Sequence, residues 1–193
     1  MVSILFLLII VCCFSSCISD IDSDFLARVG SDSGNNVGEE EIAAALTEGG
    51  NANAMSSGGE SLLHLACIWE KPTIIRLLLK FGANPNARAV KVPSSLDMTP
   101  LSWCAYAGYA SSVAAFLEDS RTLVNMVVRQ EDGGLITALD IALKIGTRGS
   151  ETAQLLRAAG AKTFHQLLEG SSPNDIPDMP PSYLQENLPI EDL

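Results

Sequence analysis

Histidine appears only twice in this chain of 193 residues, as His64 and His165. That scarcity excludes most imidazole-based metal and general-base chemistry. Neither an H-E-x-x-H nor a G-x-S-x-G occurs, and there is no phosphate-cradling glycine loop. Basic residues are also few: 12 Lys and Arg stand against 23 Asp and Glu, a formal net charge of −11. Nucleic acid is disfavoured as a partner, because neutralising phosphates needs a basic stripe. Apolar runs are short as well. Ile4 to Phe14 holds 11 residues, whereas a bilayer span needs about 20. Of five cysteines, Cys12, Cys13 and Cys17 crowd together near the amino terminus, with no second ligand pair at zinc-type spacing. Catalytic site, cofactor and metal are therefore all expected to be none.

The charge is unevenly spread. Residues 18–48 carry eight acids and one Arg, residues 49–162 nine acids and eleven bases, and residues 163–193 six acids with no Lys or Arg. A nearly neutral middle between acidic flanks favours solubility, and the flanks could also select a basic partner.

What the chain does have is a repeat. Ser61-Leu62-Leu63-His64-Leu65-Ala66, Thr99-Pro100-Leu101-Ser102-Trp103-Cys104 and Thr137-Ala138-Leu139-Asp140-Ile141-Ala142 share one pattern at 38-residue spacing. A fixed period of that length signals a solenoid, whose units bury their apolar faces only against one another. The hydroxyl residue at 61, 99 and 137 suits a helix N-cap, and Pro100 suits the next position. Second helices are expected at 73–81, 111–117 and 150–158, with Gly82 and Gly160 placed for left-handed ends. Cys67 and Cys104 fall at small-residue places of neighbouring first helices. Buried thiols are the expectation, since free Cys packs as a small hydrophobe. A disulfide is the alternative, for which the sequence supplies no Cα separation.

Gly59 to Arg88 reads G-E-S-L-L-H-L-A-C-I-W-E-K-P-T-I-I-R-L-L-L-K-F-G-A-N-P-N-A-R. This resembles an ankyrin repeat, with its T-P-L-H-x-A-type start, apolar second helix and G-A-N-x-N-A close. The resemblance covers about residues 39–162. It implies an all-α solenoid of about four helix-turn-helix units with long β-turn fingers at Ala89 to Met98 and Arg129 to Ile136. A degenerate first unit includes Glu41 to Ala54, its first helix placed at Asp24 to Val29. His64 then braces neighbouring turns, and Ser102 and Asp140 are its phase-equivalents. The family binds other proteins on its concave face. There the resemblance places Ile68, Trp69, Lys71, Tyr106, Tyr109 and Lys144, with Leu96 on a finger. Trp69 and Tyr109 could instead pack on their own unit.

The ends differ from the middle. The run Ile4 to Phe14 followed by Ser15-Ser16-Cys17 resembles a lipoprotein-type signal peptide over residues 1–17, with Cys17 the lipidated residue. Plain cleavage near Ser16 to Ser19, or a retained anchor, are the alternatives. Residues 18–38 then form an acidic linker or partial first helix, residues 39–169 the repeat domain, and residues 170–193 a disordered Pro-rich acidic tail. Thr163 to Glu169 adds one short capping helix. Tyr183, Leu184, Leu188 and Ile190 could dock on a partner or on the solenoid. These features together imply a protein-binding ankyrin-repeat module exported to the cell envelope, touching membrane only through its N-terminal anchor. An inhibitor or immunity-type role is the expectation, and a secreted effector that binds a host protein is the alternative.

Overall fold

Three antiparallel helix pairs stand side by side. The computed structural model describes residues 39–56, 59–89, 97–130, 133–170 and residue 176. The order is α1 (Glu39–Thr47), α2 (Leu62–Ile68), α3 (Pro72–Lys80), α4 (Pro100–Ala107), α5 (Ala110–Leu117), β1 (Val128–Arg129), β2 (Leu135–Ile136), α6 (Ala138–Lys144), a 3-10 turn (Gly146–Gly149), α7 (Ser150–Ala158) and α8 (Phe164–Gly170). The inner helices α2, α4 and α6 pack in sequence, and so do the outer helices α1, α3, α5 and α7. The expected first helix at Asp24 to Val29, the signal segment with Cys17, and Leu96 lie outside the described residues, as does the tail apart from Ile176.

Each inner helix starts where a hydroxyl can satisfy its free N–H groups. Thr99 Oγ1 accepts from the Ser102 N–H at 3.2 Å. Thr137 and Asp140 form a reciprocal pair, with Asp140 Oδ2 accepting from the Thr137 N–H at 2.9 Å. Gly82 and Gly160 follow α3 and α7 with φ of 86° and 82°, which places the left-handed ends where the sequence put them. One such position lacks its glycine. Gly108 and Gly146 leave α4 and α6 at φ 76° and 68°, but the equivalent residue after α2 is Glu70, at φ 52°. A Cβ on Gly108 would stand 2.9 Å from the Arg148 carbonyl oxygen, so there the close approach also selects glycine.

The core runs continuously along the stack. Leu63, Leu78, Leu101, Phe116, Leu139 and Leu156 are each at most 2% exposed. Polar ladders then fix the spacing between units. Asn53 Nδ2 donates to the Gly82 carbonyl while its Oδ1 accepts from the Asn84 N–H. Asn86 repeats this with Arg121 and Leu123, and Asn125 with Gly160 and Lys162. One amide thus satisfies both a donor and an acceptor of the next unit's turn.

The stack is mostly helical, as an all-α repeat solenoid requires. The finger at Arg129 to Ile136 closes as an antiparallel hairpin, with Val128 paired to Ile136 and Arg129 to Leu135. The cysteines of α2 and α4 are not free thiols. Cys67 and Cys104 form a disulfide with their Cα atoms 5.1 Å apart. Close packing of two small-residue helix faces supplies the separation that the sequence could not.

Ile176 is 4% exposed and joins Val127 and Leu167 in a second apolar cluster.

The disulfide closes a loop with a sequence separation of 37, worth about 4 kcal/mol on the chain-entropy account. We expect Cys67→Ala/Cys104→Ala to lower unfolding stability by about 2–4 kcal/mol in urea titrations. Overlapping titration curves would mean that the bridge adds nothing to stability.

Candidate functional site

The inner helices share one phase, so residues 38 apart line up across the stack. Ile68, Tyr106 and Lys144 form one such row at the helix C-terminal ends, and Trp69 heads the next row. Ile68 and Trp69 are half-buried and pack against the core. Tyr106 is 42% exposed. Lys144 is exposed and donates to Gln130 Oε1 at 2.8 Å, which ties the inner row to the hairpin finger. Arg148, also exposed, donates to the Tyr106 carbonyl at 3.2 Å. Lys71 and Tyr109 occupy equivalent places, each at the start of an outer helix and each half-buried. The row therefore presents an apolar end at Ile68, an aromatic ring in the middle and a basic end at Lys144 and Arg148. Such a surface can hold a protein chain. It carries no nucleophile with an adjacent base.

The fingers bounding this surface are braced. The Ala89 N–H donates to the Met98 carbonyl at 3.2 Å and closes the first finger at its base. The Arg88 guanidinium donates to Asp97 Oδ2 at 3.0 Å and to the Val127 carbonyl at 2.8 Å, joining the first finger to the second.

His64 is structural. It is fully buried, with Nδ1 accepting from the Ser61 N–H at 3.0 Å and Nε2 standing 3.0 Å from the Met98 carbonyl oxygen. The donor at Nδ1 fixes the neutral tautomer with its proton on Nε2. Burial lowers its pKa from 6.5 to about 4, opposed by the Met98 carbonyl and the charge of Glu60. At the equivalent place in the last unit, Asp140 Oδ2 accepts from the Phe164 N–H at 2.8 Å. A histidine and a carboxylate thus perform the same turn-to-turn bracing in opposite polarity, one donating to the next unit and the other accepting from it. Among the described residues no group of three or more His, Cys, Asp or Glu is placed to hold a metal ion, and no helix is long and apolar enough to cross a membrane.

Two residues escaped the sequence reading. Trp103, which stands at the place of Leu65 in the repeated pattern, is half-buried and edge-on to His64, with ring centroids 5.7 Å apart. Leu143 is 41% exposed on α6. Its signal was a large apolar side chain at a place that Cys67 and Ala105 fill in the earlier units.

Residues 33–127 match the family model of the ankyrin repeats, in three copies. That family is generally a non-enzymatic binding module. The chain is also 36% identical over 102 residues to the ADP-ribosylation factor GTPase-activating protein AGD2 of Arabidopsis thaliana. The match covers 52% of this chain but only 12% of that protein.

The unfolded chain takes up the His64 proton near pH 6.5 and the native chain only near pH 4. Between those values the unfolded state binds more protons, so stability falls as pH falls, by about 3 kcal/mol in full. Denaturation at a series of pH values should show this slope in the wild type and a shallower one in His64→Gln. Equal slopes in the two proteins would remove His64 as its source.

Proposed function

We propose that this chain is an exported module that binds another protein through the row Ile68–Tyr106–Lys144 and its neighbours Trp69, Lys71 and Tyr109. The observation that carries the reading is Tyr106. It is a large aromatic left 42% exposed on an inner helix, between an apolar and a basic residue of the same row. Aromatic side chains concentrate binding energy at protein interfaces. A partner with an apolar segment ending in acidic residues suits the order of groups.

The export half of the proposal draws on two further features. Disulfides persist in oxidising compartments and are rare in the cytosol, which favours export for a chain with the Cys67–Cys104 bridge. The run Ile4 to Phe14 followed by Ser15-Ser16-Cys17 supplies a signal sequence with a lipidation site at Cys17. An envelope location, with an inhibitor or immunity-type role, is the reading we favour. A secreted effector that binds a host protein is the second, and it requires a soluble mature form. Mass spectrometry of the protein from its native cells should show a mature chain beginning at an acylated Cys17. An unmodified terminus in the medium would favour the effector, and retention of residues 1–17 would defeat export by cleavage.

Affinity capture from those cells supplies the partner for the second test. Tyr106→Ala should weaken binding by about 2 kcal/mol, about thirtyfold, while leaving the melting curve in place. Trp69→Ala should weaken binding and also lower stability, because its ring packs partly on the core. Unchanged affinity in both variants would move the binding surface to the fingers or the tail.

A further inference from the structure

The last unit ends on an apolar residue that its predecessors cover. Cys67 on α2, Ala105 on α4 and Leu143 on α6 are phase-equivalent, each five residues after the start of its helix. The first two are 1% and 0% exposed, but Leu143 is 41% exposed. The difference arises from stacking: α4 lies against α2 and α6 against α4. The helix that could cover α6 in turn is α8, but its buried Leu167 joins Val127 and Ile176 in the second apolar cluster. On the outer helices the matching series is Leu79, Leu117 and Arg157, so the final unit replaces an apolar residue with an exposed base. Terminal units of a solenoid need a polar outer face, and Leu143 violates that need.

We propose that the end of the stack at Leu143 is a docking surface for the chain's own C-terminal segment, residues 177–193. The segment starts in the right place, since Ile176 is already buried on the last unit at 4% exposure. From there residues 177–193 reach up to about 50 Å at about 3.1 Å per residue, against the roughly 20 Å width of two packed helices. Charge agrees as well. The exposed bases of the last unit are Lys144, Arg148, Arg157 and Lys162. The segment carries Asp178, Glu186, Glu191 and Asp192 with no Lys or Arg, and it offers Tyr183, Leu184 and Leu188 as apolar groups. Its prolines limit the conformational freedom lost on docking. The tail would then act as the polar-faced cap that the last repeat lacks.

The test uses the full chain and a full-length variant with Tyr183→Ser, Leu184→Ser and Leu188→Ser. Hydrogen exchange of the amides at 141–146 should be slower in the wild type by about tenfold, the scale of burying one leucine-sized side chain. The difference should hold at every protein concentration. Leu143→Ser, at an exposed site that leaves folding intact, should abolish the effect of the tail substitutions and expose the tail to protease. Identical exchange in wild type and tail variant would overturn the proposal. So would protection that grows with protein concentration, which would assign the surface to a second copy of the chain. Tail effects that persist unchanged in Leu143→Ser would place the contact elsewhere and overturn it too.

Discussion

A single helix pair in this chain cannot bury its own apolar face, and everything else follows from that constraint. Leu63, Leu101 and Leu139 are buried because a neighbouring unit lies against each. Small residues at Ala66, Cys104 and Ala142 let the inner helices come close enough for this, all at 0% exposure. Stability is therefore a property of neighbours, and loss of one unit propagates to the next. The Cys67–Cys104 bridge acts at this same contact. It joins α2 to α4, so the covalent link and the apolar contact reinforce one interface.

Apolar stacking alone sets no register along the axis. The ladders of Asn53, Asn86 and Asn125 do so, because each amide must meet both a carbonyl and an N–H of the next turn. His64 and Asp140 add a second line of bracing near the inner-helix starts. His64 is fully buried, so a slipped register would leave its Nε2 without the Met98 carbonyl as partner. The result is a rigid frame on which Ile68, Tyr106 and Lys144 hold fixed spacing. A preorganised row loses little entropy on binding, which suits a binding surface better than a flexible loop.

The frame also ends unevenly. At one end α1 packs on α3, with the acids Glu39, Glu40 and Glu41 in its first turn, where the helix dipole favours them. At the other end Leu143 is exposed and α8 turns toward the hairpin and Ile176. The two termini therefore face different physical problems.

The sequence by itself determined the period, the helix starts at Ser61, Thr99 and Thr137, and the glycine ends at Gly82 and Gly160. These are local or periodic properties, set by backbone capping and by apolar spacing. The bracing role of His64 and the binding candidates came from the ankyrin resemblance, and phase only aligns Ile68, Tyr106 and Lys144 along the stack. Only the tertiary structure decided how deeply each candidate is buried, so that Trp69 proved half-core while Tyr106 stayed exposed. It alone paired Cys67 with Cys104, since disulfide formation depends on a Cα separation that two packed helices set. It alone exposed Leu143 and buried Ile176. Burial is a statement about what lies opposite a residue, and what lies opposite is fixed by packing between units and not by neighbours along the chain.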